Sequence, residues 1–350
     1  MTRNEKDFCS PAFLEVVNSV RSMGRNCFTN VYIYITEQCQ LRCKHCYLGK
    51  GLRNNLIMPK DKVFDLLAKI NILGGKKLSI LGGEPTLHKD FEEIITYANS
   101  LNYDIIAINT NAAEIARKKL SQMSPNLFSY IQVSLDGPNA DINDFIRGKG
   151  AFNEALKTIQ MLCDKGFDTR IIYTVNRQNM EGALALLPQM EKMGVSLFKY
   201  HIFSDIGNGK ERSEWALSPT EWMDFYTRLK QQQNKYKLRI QYQPTFTDKC
   251  GFNGYVKEGH QGCIGCFLDR LSVFPNGRAY VCSYLFDTDM HFAEISPDNY
   301  FDLNMNNNEF THYQKTIQTN KFSCPAEKIL NKILPDDILP VCRLWKSEVR

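Results

Sequence analysis

The chain has 350 residues, 43% apolar and 23% charged, the composition of a globular protein that buries one large core or two moderate ones. Its formal charge of +5 is spread without a long basic run, which argues against a nucleic-acid partner. No segment approaches the roughly 18 apolar residues of a membrane span, and Met1–Asp7 carries acidic residues and leads into no apolar run, so neither an anchor nor a secretory signal is expected. The expected compartment is the reducing cytoplasm, where twelve cysteines point to metal binding rather than disulfides.

Residues 1–30 read as a lead-in with one helix, Pro11 to Val20, whose apolar face carries Phe13, Val16, Val17 and Val20. It is too short for a separate peptide-binding domain, and Cys9 and Cys27 read as ordinary thiols. From Val31 to about Ser204 strands alternate with helices, the pattern of parallel strands joined by helical crossovers. The expected strands are 31–36, 77–81, 104–109, 130–135, 169–175 and 197–203. Between them run helices marked by Val63, Phe64, Leu67 and Ile70, by Phe91, Ile94, Ile95 and Ala98, and by Phe152, Ala155, Leu156 and Ile159. Six such units predict a partial six-stranded (β/α) barrel. A further helix starts at a capping box, Ser218 to Glu221, and a strand-like run spans Lys237 to Tyr242. The expected organisation is a lead-in at 1–30, the α/β barrel with its following helix at 31–245, and a small cysteine-rich α+β domain at 246–350.

Residues suited to chemistry follow the strand ends. Cys39, Cys43 and Cys46 follow the first strand. Thiolates in such a set suit an iron–sulfur cluster or zinc. A tetrahedral zinc site wants a fourth ligand, usually from a second pair, and no pair follows closely. A four-iron cube held by three cysteines instead leaves one iron open to a small molecule. Gly82-Gly83-Glu84-Pro85 follows the second strand, Asn109-Thr110-Asn111 the third, Ser134 to Gly137 the fourth, Asn176 the fifth, and Ser204-Asp205 the sixth. Parallel strands bring all these loops to one rim, where barrel enzymes hold their sites.

The three-then-two spacing of Cys39, Cys43 and Cys46, with Gly82 to Pro85 behind it, resembles the signature of the radical S-adenosylmethionine (SAM) enzymes. The resemblance implies a [4Fe–4S] cluster on the three cysteines, with SAM chelated to the open iron. SAM would be cleaved to methionine and a 5′-deoxyadenosyl radical that takes a hydrogen from the substrate. It implies that the carbonyls of Gly82 and Gly83 receive the SAM ammonium group, with Glu84 and Pro85 fixing the turn. Ser134 would contact the ribose or carboxylate, Asn111 the ribose, and Arg147 the SAM carboxylate. His45 stands where the family usually has an aromatic residue before the last cysteine, and Tyr47 follows it. Asp136 reads as a cap on the next turn.

A second set comprises Cys250, Cys263, Cys266, Cys282, Cys324 and Cys342. A hairpin at Leu271–Phe274 and Arg278–Cys282, turning at Pro275-Asn276-Gly277, would carry Cys282 back toward Cys266. Gly277 and Cys282 resemble the SPASM and twitch extensions of radical SAM enzymes, here in the shorter, single-cluster form. That implies one auxiliary [4Fe–4S] cluster on Cys263, Cys266, Cys282 and Cys324, with Cys250 and Cys342 as rivals for the last position. A structural zinc ribbon is the alternative, because four thiolates satisfy zinc equally well.

The reading is a radical SAM oxidoreductase acting on a ribosomally made peptide or a protein side chain. Its expected partner is an electron donor such as flavodoxin or ferredoxin, and a peptide substrate would be recognised by the barrel mouth or by a separate peptide-recognition protein. The rivals are a small-molecule dehydrogenase of natural-product biosynthesis and a non-enzymatic redox module. The open iron counts against the last, since electron carriers normally give each cluster four protein ligands. Asp205, Asp269 and Tyr284 are candidates for a general base by position alone.

Overall fold

The computed structural model describes residues 4–242, 246–257, 265, 267–286, 288–305 and 338–340. All six expected strands form: β1 Asn30–Tyr34, β2 Lys77–Leu81, β3 Ile105–Thr110, β4 Tyr130–Ser134, β5 Thr169–Val175 and β6 Leu197–Ile202. They lie side by side in that order, each parallel to the next. The run at Lys237–Tyr242 becomes β7, Arg239–Tyr242, and joins the same sheet parallel to β6. Helices α2 Lys60–Ile72, α3 Phe91–Ser100, α4 Glu114–Leu120, α5 Ala140–Arg147, α6 Ala151–Asp164 and α7 Leu187–Lys192 fill the crossovers. The capping box at Ser218 and Glu221 starts α8, Pro219–Gln232, with both reciprocal bonds made.

The C-terminal hairpin extends the barrel's sheet. Strand β9, Arg270–Val273, pairs parallel to β1 on the side away from β2, and β10 Arg278–Tyr280, β11 Ala293–Ile295 and β12 Phe301–Leu303 follow antiparallel. A separate two-stranded ladder joins β8, Phe246–Asp248, to β13, Ile338–Pro340, and α9 Lys249–Lys257 follows β8.

Strand periodicity sorts the side chains onto two faces. Val31 and Ile33, Ile131 and Val133, Ile171 and Tyr173, Phe198 and Tyr200, and Leu271 and Val273 enter one core beneath the helices. Residues alternating with them, including Tyr32, Gln132, Arg170, Lys199, His201 and Arg270, face the barrel lumen, and that face is polar.

The lead-in helix α1, Pro11–Arg21, starts where Pro11 and the Ser10 hydroxyl, which accepts from the Phe13 N–H, suit a helix N-terminus. Ser10 and Phe8 bond to the backbone of Phe301 in β12. Phe13 is fully buried against Phe28, Phe292 and Phe301, with ring centroids 5.4–5.9 Å apart. Phe13→Ala is therefore expected to cost about 3–5 kcal/mol in urea unfolding. A single transition, with the lead-in and the C-terminal strands melting together, is the expected form. A loss below 1 kcal/mol would show that this helix is not part of the core.

Candidate active site

The cysteine loop leaves β1 and is held from three sides. The first hold is the Gly82–Glu84 turn after β2. Gly83 N–H donates to Thr36 O at 2.8 Å, and Glu84 N–H to Gln38 O at 2.7 Å. A Cβ on Gly83 would sit 2.4 Å from Gln38 O and 2.8 Å from Cys39 Cβ, and one on Gly82 2.6 Å from Thr36 O. Glycine is required here by the approach of the chain's own backbone. The second hold comes from Gly207 and Asn208. Asn208 donates its backbone N–H to Cys46 O and its amide to Cys43 O. Gly207 has φ +59°, and a Cβ there would lie 2.4 Å from Tyr47 O. The sequence reading took Gly207-Asn208-Gly209 for a loop marking a break; it is a clamp on the cysteine loop. On the third side, Lys44 N–H donates to Ile146 O and the Cys43 thiol to Arg147 O at 3.8 Å, tying the loop to the end of α5.

Donors point at the thiols. The Asn111 amide donates to Cys39 Sγ at 3.6 Å, and backbone N–H groups of Leu41 and of Leu48 and Gly49 serve Cys39 and Cys46 respectively. Each of the three thiols lies within range of the charge of the other two. Burial raises all three thiol pKa values, Cys39 to about 11 and Cys43 to about 12, so a cation is needed to hold them as thiolates at neutral pH. Among the described residues no three His, Cys, Asp or Glu side chains close on a point as one metal ion requires. Bonds of about 2.3 Å to one zinc would draw sulfurs together to about 4 Å, whereas a four-iron cube takes its thiolates at separate corners. Donor N–H groups on the sulfurs fit the cluster.

Glu84 is buried completely. Its carboxylate accepts from the Thr86 N–H and hydroxyl, the Thr110 hydroxyl and the Asn111 N–H, at 2.7–3.2 Å. Burial raises its pKa against the pull of these donors. It braces the β2 and β3 loops against one another and positions Asn111.

Asp136, also fully buried, is the anchor that sequence reading missed. Its Oδ2 lies 2.6 Å from Arg147 Nη2 and 2.8 Å from His45 Nε2, and its Oδ1 accepts from Thr174 N–H at 2.7 Å. Asn143 and Asn179 bond its backbone. Burial opposes its charge, but Arg147 first and His45 second outweigh it and hold the carboxyl at about 2. His45 Nδ1 and Arg147 Nε are buried without a partner among the described residues. Ser134 ends β4 on the lumen face, part-buried.

The other expected residues scatter. Asp269 precedes β9 and bonds Asn30 at the start of β1, at the barrel end opposite the cysteine loop, so it is out of reach of the rim. Asp205 follows β6 on the rim side. Cys282 packs part-buried against Tyr34, Phe274, Tyr280 and Phe286, and Tyr34 in turn bonds Tyr47 of the cysteine loop, hydroxyl to hydroxyl, at 3.0 Å. Cys250 is exposed on α9. Cys263, Cys266, Cys324, Cys342 and the Tyr284 side chain lie outside the described residues.

Asp136→Asn leaves the Arg147 guanidinium buried beside a neutral amide and is expected to destabilise by about 3–5 kcal/mol in urea melts. The pH dependence follows from the depressed pKa. The wild-type contribution is complete above the ordinary carboxylate range and is lost as pH falls through about 2. Equal acid-unfolding curves for wild type and Asp136→Asn would refute this account.

Residues 33–187 match the family model described as the radical SAM superfamily. The mycofactocin maturase MftC of Mycolicibacterium smegmatis is 32% identical over 148 residues, 42% of this chain and 38% of that protein. The subtilosin biosynthesis protein AlbA of Bacillus subtilis is 25% identical over 301 residues, 84% of this chain and 63% of that protein. The chain thus spans under two thirds of the length of these curated relatives. Among solved structures, Streptococcus suis SuiB bound to S-adenosylmethionine superposes with a TM-score of 0.63 at 16% identity, covering 91% of this chain and 74% of SuiB. That likeness is one of fold. The cysteine loop and the Gly82–Glu84 turn both fall inside the matched segment, so the match to the radical SAM superfamily covers the candidate site.

Proposed function

We propose that this protein is a radical SAM oxidoreductase that modifies a ribosomally made peptide or a protein side chain. The observation carrying this reading is the cysteine loop itself, three thiols within range of one another's charge, clamped at a parallel-barrel rim with N–H donors turned on the Cys39 and Cys46 sulfurs. Cys39, Cys43 and Cys46 would hold a [4Fe–4S] cluster. When bound, that group supplies the electron that cleaves SAM to methionine and the 5′-deoxyadenosyl radical. The chain's own residues bind and orient SAM. The Gly83 and Glu84 N–H groups are committed to Thr36 and Gln38, so the turn offers its carbonyls to the SAM ammonium. Arg147, steadied by Asp136, offers its remaining N–H donors to the carboxylate. Asn111 and Ser134 lie on the strand ends nearest the ribose in this reading.

A peptide substrate is supported by the printed names of the relatives, a mycofactocin maturase and a subtilosin biosynthesis protein. SuiB has also been solved with the precursor peptide SuiA. We assign one auxiliary [4Fe–4S] cluster to Cys263, Cys266, Cys282 and Cys324. In its support, Gly265, between the first two cysteines, lies against the backbone of Val281, next to Cys282. The electron donor in this reading is a protein such as flavodoxin or ferredoxin, and the peptide is recognised by the barrel mouth or by a separate protein. No helix among the described residues is long and apolar enough to cross a membrane; we place the enzyme in the cytoplasm.

Anaerobic reconstitution with iron, sulfide, SAM and dithionite is expected to release 5′-deoxyadenosine from wild type and none from Cys43→Ala. Cluster-loaded wild type that leaves SAM intact would refute the enzyme. Iron and sulfide counts on the Cys39/Cys43/Cys46 triple alanine variant are expected to retain about one four-iron cluster; zinc without iron would replace the auxiliary cluster by a structural zinc site.

A further inference from the structure

The lumen of the barrel carries positive charge that the SAM-binding rim does not use. Strand register places Lys199 of β6 beside Ile172 of β5, which in turn pairs with Ser134, so Lys199 stands level with the end of β4. His201 is one layer higher, beside Thr174, and Gln132 one layer lower on β4. Arg270 of β9 adds charge from the facing wall, its guanidinium 5.1 Å from the Tyr32 ring centre. The acids nearest the lumen are engaged elsewhere: Asp168 with Arg170 and Ser196, Asp136 with Arg147 and His45, and Asp269 with Asn30. Among the described residues Lys199 makes no hydrogen bond or ion pair. His201 Nε2 and Gln132 Oε1 are buried with no partner, and Gln132 is only 9% exposed.

We propose that this layer of the lumen binds a carboxylate of the substrate peptide, with Lys199 as the cation, His201 as a neutral donor beside it, and Gln132 Oε1 accepting an adjacent peptide N–H. This deepens the peptide reading above and rests on it. An ammonium largely removed from water gains most from an anion of its own, because its Coulomb attraction is screened least there. Burial first, then Arg270 and Arg170, lowers the Lys199 pKa to about 8, which leaves it charged at neutral pH. His201 is pushed to about 3, by burial first and then by Lys199 and Arg270, so it enters the site uncharged. The carboxylate has two possible sources, an Asp or Glu side chain and the peptide's C-terminus. In either case it fixes one substrate residue at the level of Ser134, beside the place where SAM is held in this reading, the positioning that hydrogen abstraction needs.

The test uses cluster-reconstituted protein, with and without SAM, and ligand-observed NMR titration of three probes. These are N-acetyl-glutamate N-methylamide for a side-chain acid, N-acetyl-alanine for a C-terminal acid, and N-acetyl-glutamine N-methylamide as the neutral control. At least one acid is expected to bind the SAM-loaded protein about tenfold more tightly than the amide, with Lys199→Met abolishing the difference and Lys199→Arg preserving most of it. Which acid binds identifies the source. Equal binding of acids and amide, or an undiminished preference in Lys199→Met, overturns the proposal. Loss of acid binding on adding SAM also overturns it, since the charge would then serve SAM's own carboxylate. Should Lys199→Met not fold, the wild-type acid-to-amide ratio and the SAM competition still decide. Release of 5′-deoxyadenosine by the same preparation reports on the enzyme reading separately.

Discussion

One buried carboxylate holds the rim together. Asp136 touches the cysteine loop through His45, the end of α5 through Arg147, and β5 through the Thr174 N–H. A carboxylate with no access to water would by itself take up a proton, because burial penalises its charge. Here Arg147, His45 and a backbone donor reverse that, and the carboxyl stays ionised below its ordinary range. Removing either Asp136 or Arg147 leaves an uncompensated charge in the interior, so the segments that Asp136 joins are energetically coupled. The placement of the cysteine loop, tied to α5 by the Lys44 N–H to Ile146 O, therefore depends on an acid that is not itself a ligand.

Around this anchor the rim is rigid for a steric reason. Gly82, Gly83 and Gly207 each stand where a Cβ would meet carbonyl oxygens of the cysteine loop or its approach. Three backbones close-packed in this way leave no room for a side chain at any of these positions. Glu84 extends the same network to Asn111 and hence to the Cys39 sulfur. The lumen below contrasts with it. Its side chains are polar and part-buried, and among the described residues Lys199 makes no hydrogen bond or ion pair.

Much of this was legible beforehand. The six parallel strands follow from alternation of apolar runs with amphipathic helices, and the cysteine loop from spacing alone. Asp136 was not, because an acid two residues past a strand also suits a turn cap, and nothing local reveals Arg147 and His45 as its partners. Gly207 was read as a break, since Gly-Asn-Gly looks the same whether it faces water or another backbone. The pairing of β9 with β1 joins residues such as Asn30 and Asp269, 239 positions apart, and leaves no periodic trace between them. Lys199 and Arg270 were invisible as a pair for the same reason, since each alone is an ordinary polar residue of a strand.

The continuity of the sheet also constrains any traffic between the two cysteine sets. Because β9 is bonded to β1, strands β9–β12 cannot swing away from the cysteine loop without breaking the central ladder. Tyr34 of β1 stacks on Phe274 with centroids 4.1 Å apart, and Phe286 lies 6.0 Å from Tyr47. Cys282 borders the same aromatic group. A metal site that includes Cys282 is therefore fixed relative to Cys46 by apolar packing and hydrogen bonds together.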